Sequence, residues 1–306
     1  MEKLKLAVIG VGKLGSQHAR VVSESEDAEL IYVVDIIKER AEEMASVYSA
    51  EPLMDYKLVK DVDGVIIATP TTSHYEIAAH FLEKGINVLV EKPVTSTYKE
   101  AEKLLKLAEA KNSVLLVGHV ERFNPAVRRL LELRKKPEYI RAQRLSQFTG
   151  RSTDIDVVFD LMIHDLELII TIMDEEPKLH HAFGFSFITG KLDFATATLY
   201  FSNGIAEVTA SRVYDKKVRR MDAYFPSGTY AKVDFAENTF AVFRPMNKWI
   251  EQEWIRSITK ENLMSQLENF VKAIKGEAEK IDYSAIKALK LAEKISNRAG
   301  SSVKKS

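Results

Sequence analysis

Short apolar runs alternate with amphipathic segments through the first 120 residues of the chain. The apolar runs are mostly aliphatic, as strands buried on both faces of a parallel sheet are, and they span residues 6–9, 30–34, 65–68, 88–90 and 114–117. The segments between them have helical periodicity, and Ser73-x-x-Glu76 and Thr97-x-x-Glu100 match the capping box that starts many helices. This alternation predicts a doubly wound α/β sheet with right-handed crossovers.

The pattern changes after residue 122. Residues 195–201 alternate between apolar and polar side chains, as a half-buried strand does, and Asn203-Gly204 then predicts a tight hairpin turn. A second hairpin is predicted for residues 218–243, and long helices for about 157–173, 262–274 and 284–298. We therefore predict two domains, a parallel α/β domain of residues 1–122 and a C-terminal α+β domain of residues 123–306. For the last helix, packing against the first domain is an open alternative.

The second domain is predicted to have an open, mainly antiparallel sheet with helices on one face. The helices would cover one face of this sheet, and its other face also needs a cover. We expect a second copy of the chain to supply that cover, which predicts a homodimer or homotetramer.

Composition excludes several classes of protein. The 44 Lys and Arg residues balance 44 Asp and Glu residues, so a globally basic surface for nucleic acid is not expected. The chain has no Cys, which excludes disulfides, thiolate nucleophiles and Cys-based metal sites. It also has no apolar run of the roughly 18 residues that a membrane span needs, so we expect a cytoplasmic protein that does not bind membranes.

A glycine-rich turn, Gly10-x-Gly12-x-x-Gly15, lies between the first predicted strand and helix. This context is typical of a dinucleotide-binding Rossmann domain, where the first glycine allows a tight turn and the third lets the helix pack on the strand. The second glycine lets a pyrophosphate approach the backbone at the helix N-terminus. Lys13 and Leu14 complete the predicted phosphate-binding turn.

Asp35 follows the second predicted strand, twenty positions after Gly15. A carboxylate at this point can accept hydrogen bonds from the adenosine ribose and would repel a 2′-phosphate. The next residues are Ile36 and Ile37 rather than an arginine that could neutralise a phosphate. We therefore expect NAD as the cofactor, with NADP less favoured.

Two further motifs, Ala68-Thr-Pro-Thr-Thr-Ser-His74 and Glu91-Lys-Pro93, each follow a predicted strand, and Asp160-x-x-x-His164 lies on a predicted helix. With the glycine turn, they make the chain resemble the glucose–fructose oxidoreductase/inositol dehydrogenase/MocA family over essentially its whole length. The resemblance implies an NAD-dependent oxidoreductase that acts on CH–OH groups, with an N-terminal Rossmann domain and a C-terminal α+β domain. In that family the open sheet usually makes the dimer or tetramer contact.

The resemblance also implies roles for individual residues. Lys92 matches the lysine that reaches the nicotinamide and the reacting hydroxyl, and Asp160 and His164 match the acid–histidine pair of the domain cleft. Thr69, Pro70, His74 and Glu91 match loops that line the ribose and nicotinamide. The expected cofactor-binding residues are Gly10, Gly12, Lys13, Leu14, Gly15, Asp35, Thr69, Pro70, His74, Glu91 and Lys92.

The residues themselves support the catalytic assignment. Asp160 and His164 are four apart, so on a helix they share a face, and the carboxylate can orient the imidazole as a general base. Lys92 follows the C-terminal end of a predicted strand, where open α/β sheets bind ligands. We expect His164 to take the hydroxyl proton while Lys92 stabilises the alkoxide, although the two roles could be exchanged. An exposed Asp–His pair and an exposed lysine are the structural alternatives.

The stretch from Gly118 to Ala126 resembles family members that act on nucleotide-activated amino sugars. That implies oxidation of a secondary hydroxyl at C3 of a sugar such as UDP-N-acetylglucosamine, giving a keto sugar that an aminotransferase converts for lipid A or surface polysaccharide. Arg122 and Asn124, with Lys92 and His164, are the expected substrate-binding residues, since a guanidinium fork suits phosphate or carboxylate. For Arg122 a role as a charged hinge is equally open.

Two alternatives remain from the sequence. A free-sugar or inositol dehydrogenase would use the same catalytic residues, and a non-catalytic NAD-binding regulatory protein would need only the first domain. A metal site is not expected, because His180-His181 and His164-Asp165 have no further ligands at suitable spacing.

Overall fold

The computed structural model describes residues 2–150, 153, 155–246, 249–256 and 262–303. The chain divides into two compact units. The first unit comprises Met1–Val120 and Lys260–Ile286, and the second comprises Glu121–Thr259 and Lys287–Ser306. The division after Val120 lies close to the predicted boundary at residue 122, and a C-terminal segment of the chain belongs to the first unit.

The strands, in chain order, are β1 (Leu4–Ile9), β2 (Ala28–Val34), β3 (Glu51–Leu53), β4 (Gly64–Ile67), β5 (Asn87–Val90), β6 (Leu115–Val117), β7 (Tyr139–Leu145), β8 (Lys178–Phe185), β9 (Phe194–Phe201), β10 (Gly204–Ser211), β11 (Val218–Tyr224), β12 (Tyr230–Asp234), β13 (Thr239–Met246) and β14 (Trp249–Arg256). The helices are α1 (Gly15–Glu24), α2 (Lys38–Tyr48), α3 (Thr71–Glu83), α4 (Tyr98–Lys111), α5 (Pro125–Leu131), α6 (Ile163–Met173), α7 (Asn262–Ile274) and α8 (Tyr283–Val303). Among these described helices, none combines the length and the apolar run that crossing a bilayer requires.

The sheet of the first unit has the strand order β3-β2-β1-β4-β5-β6, and its strand pairs are parallel. The doubly wound sheet predicted from the aliphatic runs is thereby confirmed. The order reverses between β1 and β4, and in such sheets ligands bind outside the carboxyl ends of the strands at this point. β3 was not predicted, because its three residues contain no apolar run.

Of the two predicted capping boxes, one is confirmed and one is wrong. The Thr97 hydroxyl accepts a hydrogen bond from the Glu100 backbone N–H, and the Glu100 carboxylate accepts one from Thr97 N–H. α3 instead begins at Thr71, directly after Pro70, so Ser73 lies inside its first turn. The Ser73 hydroxyl donates to the Pro70 carbonyl over 2.8 Å and so cannot cap the helix.

The core of the first unit is completed by α7, whose sequence lies far from the other elements of this unit. Phe270 and Leu267 of α7 are buried with Leu6 and Val8 of β1 in one apolar cluster. Burying a side chain of this size contributes about 1.5–3 kcal/mol, so the C-terminal segment stabilises the nucleotide-binding sheet itself.

In the second unit, described strands form a sheet of order β14-β13-β12-β11-β7-β10-β9-β8. Neighbours pair antiparallel except β7 and β10, which are parallel, so the predicted mainly antiparallel sheet is confirmed. The Asn203-Gly204 turn joins β9 to β10, and the second predicted hairpin joins β11 to β12. One face, with Ile140, Ala142 and Leu199, is buried.

The helix predicted for residues 157–173 has two parts. A π-helical turn, Val158–Met162, leads directly into α6. Single π-helical turns are frequent at functional sites, and this one contains Asp160.

Candidate active site

The glycine turn after β1 forms a cradle for phosphate. Gly10 has a φ of 83°, in the left-handed region, and a Cβ at Gly15 would collide with the Gly10 carbonyl oxygen. Gly12 has nothing within 4 Å of the position where a Cβ would be, so its backbone is open to a ligand. Lys13 and Leu14 are exposed beside it. The turn therefore fits a dinucleotide pyrophosphate at the start of α1.

Asp35, at the end of β2, is held in a fixed orientation. Its Oδ2 accepts a hydrogen bond from Val11 N–H over 3.0 Å, and its Oδ1 accepts one from Ile37 N–H over 2.9 Å. Each carboxylate oxygen has a second lone pair, so the group can still accept bonds from ribose hydroxyls. The glycine turn and the predicted ribose acceptor are thus joined by a direct hydrogen bond.

A pocket of about 630 Å³ lies at the carboxyl ends of β1, β2 and β4 in the first unit. Five residues expected to bind the cofactor line it, namely Gly10, Gly12, Asp35, Thr69 and Pro70. Its size and its mixture of apolar walls with a few polar groups, the Asp35 carboxylate among them, suit the adenosine half of a dinucleotide.

Sequence reasoning missed four residues that also line this pocket: Arg40, Met54, Tyr56 and Glu76. The Tyr56 hydroxyl donates to the Glu76 carboxylate over 2.9 Å, and burial, followed by this hydrogen bond, raises the pKa of Tyr56 to about 12. Arg40 could have been found from the sequence, because it lies in the first turn of α2, five positions after Asp35. Met54 and Tyr56 had no such signal, because Met54 lies in a short connection after β3 and Tyr56 begins a single 3-10 turn, neither of which has a recognisable period.

His74 is buried and contacts backbone on both sides of its ring. Its Nδ1 lies 2.9 Å from the Pro93 carbonyl oxygen, and its Nε2 lies 2.8 Å from the Thr69 carbonyl oxygen. The side chain therefore connects the loop after β4 to the turn after β5. It fixes the backbone of two segments that carry expected cofactor-binding residues.

Glu91, Lys92 and His18 form a linked group at the end of β5. The Glu91 Oε1 atom is 2.8 Å from His18 Nε2, and both side chains are buried. The Lys92 N–H donates to Glu91 Oε2 over 3.3 Å, and the Lys92 side chain is half-buried. The pairing of His18 with Glu91, 73 residues away along the chain, could not be inferred from sequence spacing.

In the second unit, Asp160 and His164 lie on one continuous helical segment and are both half-buried. Asp160 belongs to the π-helical turn, and His164 is the second residue of α6. A spacing of four brings side chains to nearly the same face in an α- or a π-helix. The geometry is thus compatible with an oriented imidazole that faces substrate.

The two further candidates for substrate binding have local partners. Arg122 is ion-paired with Glu167, a fully buried carboxylate that also accepts a hydrogen bond from the Thr171 hydroxyl over 2.9 Å. Asn124 is buried and caps α5, accepting from Ala126 N–H over 2.9 Å. Arg122 thus anchors α6, and about a quarter of its side chain is exposed to contact a ligand.

His180 and His181 serve the second sheet. The His180 ring stacks on Tyr200 with centroids 4.4 Å apart, and His181 lies at a tilt to Phe183. Within the residues that the structure describes, no group of three or more His, Asp or Glu side chains is arranged to hold a metal ion.

Comparison with known proteins reveals extended similarity. The GFO_IDH_MocA family model, described as an oxidoreductase family with an NAD-binding Rossmann fold, matches residues 4–119. UDP-N-acetylglucosamine 3-dehydrogenase of Acidithiobacillus ferrooxidans is 36% identical over 284 residues, which is 90% of each chain. Inositol 2-dehydrogenase of Rhizobium meliloti is 28% identical over 188 residues, which cover 57% of this chain and 56% of that protein.

Similarity extends to the fold. A solved structure of UDP-N-acetylglucosamine 3-dehydrogenase from Acidithiobacillus ferrooxidans matches this structure with a TM-score of 0.90 at 33% sequence identity. The match covers 98% of this chain and 99% of that chain.

Proposed function

This chain belongs to the Gfo/Idh/MocA family of oxidoreductases, and from that premise we propose that it oxidises the C3 hydroxyl of UDP-N-acetylglucosamine, or of a closely related nucleotide sugar, to a ketone. One observation carries the proposal: the similarity to a dehydrogenase named for that substrate extends over 90% of both chains. The similarity to the inositol dehydrogenase covers little more than half of this chain.

The enzyme uses NAD, for which the first unit has the glycine cradle and the Asp35 carboxylate. When bound, NAD supplies the hydride acceptor. Asp35 would bind the ribose hydroxyls, and its negative charge disfavours a 2′-phosphate at the same place. Thr69, Pro70, His74, Glu91 and Lys92 are the proposed residues of the nicotinamide end.

In the proposed reaction, residues of this chain accept one proton and stabilise one developing negative charge. His164, oriented by Asp160, accepts the hydroxyl proton, and the Lys92 ammonium donates a hydrogen bond to the same oxygen as negative charge develops there. Glu91 and His18 hold the backbone at Lys92 through the buried pair described above. Arg122 and Asn124 are proposed to shape the substrate side.

The test is an assay of NAD reduction at the near-ultraviolet absorbance of the reduced cofactor. The substrates are UDP-N-acetylglucosamine, UDP-glucose, N-acetylglucosamine, glucose and myo-inositol, each with and without 2-oxoglutarate as an acceptor for tightly held cofactor. Turnover with UDP-N-acetylglucosamine, and a 3-keto product by mass spectrometry and NMR, is the expected result. Turnover confined to inositol or free sugars would overturn the substrate assignment, and nucleotide binding without any turnover would indicate a regulatory protein.

The proposal extends to the setting of the enzyme. NAD and nucleotide sugars are cytoplasmic metabolites, so we place the enzyme in the cytoplasm. A 3-keto sugar is a substrate for an aminotransferase, and the resulting 3-amino sugar would serve lipid A or surface polysaccharide.

We also propose a homodimer or homotetramer built on the open face of the second sheet. Cross-strand register places Phe183, Phe185, Tyr200, Ile205 and Tyr224 on this face, and each is more than a third exposed. A contiguous apolar patch of this kind is typical of a protein interface.

A further inference from the structure

Two arginines oppose each other on neighbouring strands of the second unit. Arg144 of β7 is the register partner of Arg219 of β11, so both side chains leave the same face of the sheet. Like charges directly opposite each other destabilise an antiparallel pair. Each guanidinium therefore needs negative charge close by.

Arg144 has that charge. Its Nη2 is 2.9 Å from Asp165 Oδ1, its Nη1 is 3.4 Å from Glu121 Oε1, and its guanidinium lies over the Phe235 ring. Burial alone would lower the pKa of Arg144, but the charges of Asp165 and Glu121 outweigh it and raise that pKa above its ordinary value. This guanidinium is fully engaged within the protein.

Arg219 differs. Its side chain is half-buried, and among the described residues its guanidinium has no hydrogen-bond or ion-pair partner. Burial and the positive charge of Arg144 lower the pKa of Arg219, while Glu121, Asp165 and Asp160 act on it only through longer-range attraction. A partly desolvated cation without a direct partner is costly for the fold, and an anionic ligand would relieve it.

The position of Arg219 specifies which anion. Its register partner Arg144 contacts Asp165, which follows the proposed base His164 in α6, over 2.9 Å, so Arg219 leaves the sheet on the face that carries α6. Asp160, the other member of the proposed catalytic pair, adds a longer-range attraction. In a nucleotide sugar, the phosphate is attached through oxygen to C1, only two ring positions from C3. A residue that binds this phosphate must therefore lie near the residue that takes the C3 proton.

We propose that Arg219 binds the diphosphate of the nucleotide sugar and is the residue that makes the enzyme prefer nucleotide-activated sugars over free sugars and inositols. The planar fork of a guanidinium matches two phosphate oxygens, which an ammonium cannot do. This inference rests on the proposed function for the reaction, but the binding of a nucleoside diphosphate can be tested separately.

The kinetic test compares Arg219→Gln, Arg219→Lys and the control Lys217→Gln, which removes a positive charge from an exposed position two residues away. For UDP-N-acetylglucosamine, Arg219→Gln should raise KM about ten- to hundredfold, the loss expected for a charge-assisted contact, with little change in kcat. Arg219→Lys should give an intermediate KM, and Lys217→Gln should match the wild type. An unchanged KM in Arg219→Gln would overturn the inference.

A binding test separates this inference from the proposed reaction. Calorimetric titration of UDP into the NAD-loaded protein should show binding that Arg219→Gln weakens about ten- to hundredfold and Lys217→Gln leaves unchanged. If UDP-N-acetylglucosamine is not oxidised but Arg219→Gln still weakens UDP binding, the proposed reaction is refuted and the proposed anion site is supported. If UDP does not bind the wild type, or binds both Arg219 forms equally, the anion site is refuted whatever the reaction.

Discussion

Replacing Arg144 with leucine should destabilise the second unit by about 3–5 kcal/mol, because it leaves a buried carboxylate without its countercharge. Asp165 is 1% exposed, and Arg144 contacts it through both Nε and Nη2. Glu121 also loses its contact with Arg144 Nη1. The matched control is Arg128→Leu, which replaces an exposed arginine of α5 in the same unit and should cost less than about 1 kcal/mol.

Urea unfolding followed by tryptophan fluorescence measures the loss of stability in the second unit. The chain has two tryptophans, Trp249 and Trp254, and both lie in β14 of the second unit. The double variant Arg144→Leu/Asp165→Leu should recover most of the stability, since buried ion pairs are often replaced by apolar residues without loss. A loss of stability in Arg144→Leu no larger than that in Arg128→Leu would refute the conclusion that Arg144 is fully engaged.

The same variant has a predicted pH dependence. Burial raises the pKa of Asp165, and Arg144 is the main group that opposes the rise, so its removal lets that pKa rise further. A carboxyl whose pKa is higher in the folded state favours the fold at low pH. This contribution is fully present below the ordinary carboxyl pKa of about 4 and is lost as the pH rises through the raised pKa of the folded state. The deficit of Arg144→Leu against wild type should therefore shrink as pH is lowered from neutrality. A deficit independent of pH would contradict this assignment.

Further predictions concern the reaction and the cofactor. Lys92→Ala and His164→Ala should each reduce turnover by about a hundredfold or more, and His164→Ala should keep NAD binding, followed by fluorescence. Lys99→Ala, which removes an exposed lysine, is the control, and wild-type turnover in Lys92→Ala or His164→Ala would refute the role of the residue replaced. Asp35→Ser should raise kcat/KM for NADP and lower it for NAD, because the repelling carboxylate and the ribose acceptor are removed together; an unchanged NAD/NADP ratio would contradict the ribose assignment. Arg219→Gln should leave the melting temperature unchanged or raise it, because it removes a like-charge contact with Arg144; a clear decrease would mean that Arg219 has a structural role.

The first unit was predictable from sequence because its signals are local. Parallel strands buried on both faces are continuous aliphatic runs, such as residues 65–67, and each glycine of the cradle has a steric reason in the turn itself. β3 and the pocket residues Met54 and Tyr56 escaped prediction because a three-residue strand, a short connection and a single 3-10 turn have no recognisable period. The expected capping box at Ser73 failed because Pro70 is the N-cap of α3, so the helix begins three residues earlier than the box predicts.

Partners across long sequence separations could not be predicted, and they decide the roles of charged residues. Arg122 is 45 residues from Glu167, and the buried ion pair between them is not visible as a spacing. His18 and Glu91 are likewise joined only through the packing of α1 against the sheet. Residue type indicates that a group can bind an anion, but only the fold shows whether the protein already supplies one.

Arg219 and its neighbour Arg220 show that two residues of the same type can differ in the partners that the fold supplies. They are adjacent in sequence, yet they face opposite sides of β11. Arg220 contacts Asp222 over 2.7 Å and donates to the Tyr230 hydroxyl over 2.8 Å, so its charge is satisfied within the sheet. Arg219 instead faces a second guanidinium. Natural proteins break such local rules mainly at functional sites. Loss of UDP affinity and a gain in stability on replacing Arg219 would thus have one cause, a cation that the fold leaves for a ligand to neutralise.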